Sequence, residues 1–285
     1  MKNILFTLAL LVSFSSFGQD GIVIDYYESG AIKSEGYYED GIIQEEFIQY
    51  YESGAIKSEG YYVDGKAQGE FIWFYQSGAV KQKGNYVDGT IQGKAIEYYE
   101  SGVVKAIAEI VNGKKQGELT RYYESGELES KENYVNGKKD GEVINYYESG
   151  MVAAKENYLD GKKDGEYLTY FESGAVERKG SFVEGKIQQQ TRYYESGERD
   201  EIEIYGETQK EVISFYKSGA VRYKLNAVLV DGARQDESIE YYESGAVRKK
   251  ENSVDGQLQG EVIEYYENGE IKEIKNYKDG ELIED

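Results

Sequence analysis

The chain has 285 residues, with 30 Tyr and 34 Gly against a single Trp (Trp73), and no Pro, Cys or His. Lacking His and Cys, it can hold no His-based triad, thiol nucleophile, zinc finger, haem ligand or disulfide, nor the usual titrating switch near neutral pH. A formal net charge of −21, from 33 Lys+Arg against 54 Asp+Glu, repels phosphate backbones and anionic lipid heads and keeps a tyrosine-rich body soluble, so nucleic acid is not an expected partner, while a basic protein or a neutral glycan stays open.

The first stretch, MKNILFTLALLVSFSSFGQD, differs from everything after it. Lys2 gives a positive start, Ile4 to Phe14 form an apolar run, and Ser16 and Gly18 are the small residues before a cut between Gly18 and Gln19. This pattern predicts a secretory signal peptide over residues 1–18, with export to the periplasm, envelope or medium. Its apolar run falls short of the about 20 residues that span a bilayer. No Cys follows the cut and no later segment is apolar enough to cross a membrane, so neither a lipid anchor nor a transmembrane segment is expected in the mature chain.

From residue 19 to 285 one unit recurs. Its anchor is an aromatic pair, a spacer and Ser/Asn-Gly, as in YYESG at Tyr26, Tyr50, Tyr98, Tyr122, Tyr146, Tyr193 and Tyr241. FYQSG at Phe74, YFESG at Tyr170, FYKSG at Phe215 and YYENG at Tyr265 are variants, making eleven copies mostly 24 residues apart. A second glycine (Gly65, Gly89, Gly113) follows Asp or Asn, and a third (Gly69, Gly93, Gly117) comes four residues later. Two turns and two short segments per unit predict a β-hairpin.

Parity selects the turn. Ile48 and Tyr50 before the anchor glycine Gly54, and Ile56, Gly60 and Tyr62 after it, all lie at even offsets from it. They share a face if Tyr50 pairs with Ile56 across a three-residue Glu-Ser-Gly loop, a type I turn with glycine in the left-handed position. The odd face then carries the second tyrosine (Tyr27, Tyr51, Tyr75, Tyr99), valines such as Val87 and Val143, and Lys33, Lys57 and Lys81. Glycines such as Gly60 leave room for a neighbouring ring to lie on backbone.

Stacked side by side, eleven hairpins predict an all-β fold, an elongated single-layer antiparallel sheet of roughly 22 strands at about 4.8 Å spacing. The tail Asp279 to Asp285 reads as the first strand of a further unit, its acids guarding an open edge. Regularity weakens around residues 197–236, where Arg199 replaces an apolar residue, the Asp-Gly turn is lost and the next unit gains two residues. Drift in a tolerant array explains this; a bend or a unique binding patch is the functional reading.

NYVNGKKDGEVINYYESG (Asn133 to Gly150) and NYLDGKKDGEYLTYFESG (Asn157 to Gly174) resemble the MORN repeat in its bacterial variant form, over nearly all of residues 21–285. The resemblance implies hairpin units and scaffolding. Bacterial proteins of this kind are often labelled YwqK-family antitoxins, which implies an immunity-type role, and eukaryotic relatives are associated with membrane apposition.

The candidate partner-binding groove is the column of first rings: Tyr26, Tyr50, Phe74, Tyr98, Tyr122, Tyr146, Tyr170, Tyr193, Phe215, Tyr241 and Tyr265. Tyrosine offers broad contact area at little entropic cost, although a ring in every unit equally serves as a structural ladder. Asp160 to Glu166 invites a calcium reading, but lysines interrupt it and turn chemistry explains the same residues, so no metal or cofactor is assigned. Paired carboxylates are unavoidable with 54 acids, and identical repeats give them equal environments where catalysis needs unequal ones. The sequence therefore predicts an exported, non-enzymatic scaffold for a protein partner, with envelope or extracellular glycan binding along the tyrosines as the alternative.

Overall fold

A computed structural model describes residues 20–283; the leader and the Gly18–Gln19 cut lie outside the described residues. All regular structure within them is β, and every strand pairing is antiparallel, so no helix is present to cross a membrane. The chain forms two compact units, Met1–Lys114 and Lys115–Asp285.

The first unit runs β1 (Gly21–Tyr26), β2 (Ile32–Glu39), β3 (Ile42–Tyr50), β4 (Ile56–Val63), β5 (Lys66–Phe74), β6 (Val80–Val87), β7 (Thr90–Tyr98) and β8 (Val104–Val111). Each strand pairs with the next in sequence. The second unit repeats the scheme through β9 (Lys114–Tyr122), β10 (Leu128–Val135), β11 (Lys138–Tyr146), β12 (Val152–Leu159) and the interrupted strand β13 (Lys162–Lys163) with β14 (Gly165–Tyr170). It continues with β15 (Val176–Val183), β16 (Lys186–Tyr193), β17 (Arg199–Tyr205), β18 (Gln209–Phe215), β19 (Val221–Val230) and β20 (Ala233–Tyr241). It closes with β21 (Val247–Val254), β22 (Gln257–Leu258), β23 (Gly260–Tyr265), β24 (Ile271–Lys278) and β25 (Glu281–Ile283). The meander is the tandem hairpin array that the spacing predicts, with stability drawn from neighbour on neighbour.

The upper turn is the three-residue loop. Tyr51 N–H donates to Ala55 O at 2.8 Å and Gly54 N–H to Tyr51 O at 2.8 Å, with Gly54 at φ 87°. The lower turn has two residues, Asp64 at φ 49° and Gly65 at φ 76°, between the paired Val63 and Lys66. Both residues are left-handed, the type I′ geometry that follows the twist of the strands.

Parity does not survive beyond the upper turn. Tyr50 pairs with Ile56 as expected, but Gln49 pairs with Ser58, leaving Lys57 as an extra residue. This bulge shifts the register by one. Ile48 now stands opposite Glu59, and Phe47 opposite Gly60. The supposed even face is thus split: Ile48, Tyr50 and Ile56 lie on one side, while Gly60 and Tyr62 lie on the other with Phe47, Gln49 and Ser58. Val143 and Val87 also separate, the first 2% exposed on the packed face and the second 44% exposed on the opposite one.

The core is that single packed face. In the first unit it buries Ser34, Ser58, Phe71, Ala106, Ala108 and Ile110; in the second, residues such as Leu119, Tyr134, Val143, Tyr167, Val212 and Val262. Gly60 leaves room on it for a ring, as expected, although not on the face that parity gave it: a Cβ there would lie 2.3 Å from the ring of Phe71.

Candidate functional site

Each aromatic pair divides its work. The second ring is a clamp between repeats, its hydroxyl donating to the backbone carbonyl of the next repeat's first ring. In the first unit Tyr27 reaches Tyr50 O at 2.7 Å, Tyr51 reaches Phe74 O at 2.7 Å and Tyr75 reaches Tyr98 O at 2.8 Å. In the second, Tyr123 reaches Tyr146 O at 2.6 Å, Tyr147 reaches Tyr170 O at 2.5 Å, Tyr216 reaches Tyr241 O at 2.8 Å and Tyr242 reaches Tyr265 O at 2.8 Å. Phe171 departs because it has no hydroxyl, and Tyr194 because its hydroxyl turns to Asp200, which raises its pKa.

The first rings, the predicted groove, lie on the face opposite the packed one. Tyr50, Phe74 and Tyr98 in the first unit are half-buried, as are Tyr122, Tyr146, Tyr170, Tyr193, Phe215, Tyr241 and Tyr265 in the second, while Tyr26 is 59% exposed. Their company two residues earlier is mostly apolar: Ile48, Ile72 and Ile96, or Ile144, Leu168 and Ile213, with Thr120 and Thr191 interrupting the series. Val63, Val87 and Val111 in the first unit, and Val135, Leu159 and Val183 in the second, stand exposed beside the lower turns on this face. Tyr50 also donates its hydroxyl to Glu35, a bond that, with burial, pushes its pKa up to about 12.

The packed face carries buried charge, which composition did not reveal. Glu132 is buried and receives Tyr134 Oη at 2.7 Å, Arg121 Nε at 3.2 Å and Lys139 Nζ at 3.2 Å. Burial pushes its carboxyl pKa up, but these donors outweigh it and hold the group below its ordinary value. The pattern recurs at Glu156, with Tyr158 at 2.9 Å and Lys163 at 2.7 Å, and at Glu203, with Tyr205 at 2.7 Å and Lys210 at 2.7 Å. Burial together with the carboxylate bond pushes Tyr134 and Tyr158 up to about 12. The lysines do double duty over aromatic rings, Lys139 lying 5.3 Å from the centre of Tyr158.

Within the run Asp160 to Glu166, Asp164 accepts from the backbone N–H of Glu184 at 2.9 Å and Asp160 from Lys138 Nζ at 2.6 Å. One repeat earlier, Asp140 accepts from the backbone N–H of Asp160 at 3.1 Å. Gln68 does the same for Asp88 at 2.9 Å and Gln116 for Asn136 at 2.9 Å, so Asp and Gln are interchangeable there because only an acceptor oxygen is required.

Around residues 197–236 the lower bulge, which in regular hairpins follows the lower turn where pairing jumps from Tyr61↔Gln68 to Glu59↔Ile72, is gone: β17 pairs with β18 from Glu201↔Ser214 to Tyr205↔Lys210 without a shift. A turn closed by Gly206 N–H on Gln209 O at 2.7 Å replaces Asp-Gly. The two added residues lengthen β19 to 10 residues, and it pairs with β20 without a shift. Arg199 stands opposite Tyr193, and Arg192 is held by Asp200 at 2.6 Å and Glu201 at 3.6 Å.

The feature that sequence reasoning passed over is a ring cluster on the packed face of the first unit. Phe71 lies 4.9 Å from Tyr86, 5.5 Å from Tyr62 and 6.0 Å from Trp73, and Phe47 lies 5.7 Å from Tyr62. The single Trp of the chain was the available signal, because its strand position carries Gln49, Arg121 or Asn145 in other repeats.

No curated protein matches the sequence. Among solved structures it is similar to the crystal structure of TcdB2-TccC3 without its hypervariable C-terminal region, at 12% identity and a TM-score of 0.15 over 90% of this chain. The chain spans 18% of that one's length, and at that score the likeness bears on neither fold nor activity. The MORN repeat variant family matches at residues 19–40, 46–64, 67–88, 91–112, 115–136, 139–160, 163–184 and 258–279. The stretch between 184 and 258 that goes unmatched contains the irregular zone. With more than half of its length matched by the family and the hairpins in the register described, the chain belongs to the MORN repeat variant family.

Proposed function

We propose that the protein is an exported, non-enzymatic repeat scaffold that holds a protein partner along its column of first rings. One observation supports this most: the face opposite the core repeats half-buried rings and, in most regular hairpins, an isoleucine or leucine beside the ring and an exposed valine or leucine beside the lower turn, an apolar surface beyond what the core requires. The leader pattern at residues 1–18 supports export. An immunity-type role is the narrower form, implied by likeness to antitoxin-labelled relatives.

Replacing Tyr146, Tyr170 and Tyr241 by Ala tests the reading cleanly, since the clamps from Tyr147 and its counterparts use the backbone carbonyls and survive the change. A defined partner recovered with the native protein and lost with the triple variant is the expected result. Retention on insoluble polysaccharide that the same variant loses moves the assignment to glycan binding. Equal recovery by both proteins overturns the column as the contact surface. Sequencing the mature N-terminus checks export, with Gln19 expected first, and co-expression with any toxin encoded nearby checks the immunity form.

A further inference from the structure

In the second unit three lysines that follow a lower turn reach the aromatic ring of the next repeat. Lys115 lies 5.0 Å from the centre of Tyr134, Lys139 lies 5.3 Å from Tyr158, and Lys163 lies 5.3 Å from Phe182. Lys139 and Lys163 are also bound by Glu132 at 3.2 Å and Glu156 at 2.7 Å. Each ammonium is thus received by a ring face, and two also by a carboxylate.

The first unit has the same frame with the cation removed. Asn136-Gly137-Lys138-Lys139 becomes Asp64-Gly65-Lys66-Ala67, and the ring in the place of Tyr158 is Tyr86. Ala67 ends at Cβ, and a cavity of about 370 Å³ opens beside it, bordered by Tyr62, Phe71, Trp73, Tyr86 and Glu59. The carboxylate is replaced as well: Gly60 stands where Glu132 does, with Phe71 lying over it. Phe71 and Trp73 occupy the places of Val143 and Asn145, so ring faces multiply where the internal ion pair is missing. Lys66 also borders the cavity, but it is the exposed turn lysine.

We propose that this cavity is a docking pocket for a basic segment of the protein partner, which inserts a lysine ammonium where Lys139 lies in its own repeat. The proposal rests on the scaffold reading and adds to it the partner's charge and an anchor point on the packed face, opposite the column of first rings. A cation against several ring faces in a partly desolvated site is attracted by their quadrupoles. The chain's net charge of −21 steers basic segments toward it.

Trp73 is the only Trp, so its emission reports on the pocket directly. The probe is a synthetic peptide of alternating lysine and glycine, titrated at physiological salt into the full-length mature protein. A saturable change in emission is expected. Ala67→Lys supplies the ammonium from within and is expected to weaken binding roughly tenfold or more, with β-sheet circular dichroism kept. Diffuse attraction to an acidic surface survives that variant, since it alters one charge among many. Tyr86→Leu keeps the reporter and removes a receiving ring, and it is expected to weaken binding as well. An unchanged affinity in both variants overturns the pocket, as does a Trp73 response to a neutral oligosaccharide and not to the peptide. A partner that is lost with the first-ring variants but kept by Ala67→Lys sinks the pocket alone and leaves the scaffold reading standing.

Discussion

The hydroxyl of Tyr147 donates to the backbone carbonyl of Tyr170 at 2.5 Å, tying one hairpin to the next by a bond that belongs to no strand ladder. A typical hydrogen bond of this kind contributes about 1 kcal/mol net. Tyr147→Phe keeps the ring and deletes the donor, so urea denaturation is expected to show a loss of about that size. Tyr75→Phe is expected to behave alike, having the same bond to Tyr98 at 2.8 Å. An unchanged midpoint in both variants ends the clamp interpretation.

The packed-face carboxylates set the acid limb of stability. Burial pushes the pKa of Glu203 up, but bonds from Lys210, Tyr205 and Gln190 outweigh it and bring the value from 4.5 to about 2. A carboxyl depressed in the folded state adds stability above its unfolded pKa, and that stability is lost as pH falls from about 4.5 toward 2. Glu203→Gln removes the charge while keeping the shape. At pH 7 the variant is expected to be less stable by on the order of 2 kcal/mol. The gap from the native protein narrows as the pH drops through that window. A gap that stays constant with pH contradicts the assignment.

Much of the fold was written in the spacing, and its faces were not. Recurring Tyr-Tyr-Glu-Ser-Gly and Asp-Gly announce both turns because each demands left-handed backbone, and Gly54 and Gly65 supply it. The upper bulge carries no such mark: Lys57 is an ordinary residue, and alternation counted through it slides by one. The clamp was illegible for another reason, since the second tyrosine bonds to main chain and leaves no complementary side chain to recognise. Glu132 was hidden among 54 acids, because only its placement beside Arg121 and Lys139 separates it from a solvated charge. The cavity at Trp73 emerges only when Ala67 is set against Lys139 in three dimensions.

Glu45 has φ 58°, in the lower-bulge position that Gly69, Gly93 and Gly117 hold at 77°, 78° and 73°. Left-handed backbone costs a residue with a Cβ roughly 1–2 kcal/mol, part of which glycine returns through its freer unfolded state. Glu45→Gly is therefore expected to stabilise the protein by about 0.5–1 kcal/mol. The expected thermal signature is a small rise in melting temperature, and a fall counts against the strain.

Gly60 and Phe71 form a pair whose coupling can be measured. A Cβ added at Gly60 meets three atoms of the Phe71 ring at 2.3 to 2.5 Å, closer than side-chain carbons approach, and Phe71 is 7% exposed with little room to retreat. Overpacking of this kind costs about 1–3 kcal/mol, so Gly60→Ala is expected to destabilise by that amount. Phe71→Leu removes the obstructing ring edge and by itself costs apolar burial. If the clash is the cause, Gly60→Ala costs clearly less on the Phe71→Leu background, giving a coupling of about 1 kcal/mol in the double-mutant cycle. Additive losses instead place the penalty in the backbone at Gly60 and remove the ring as the reason that this position, like Gly36 with Phe47 2.7 Å from its Cβ site, is glycine.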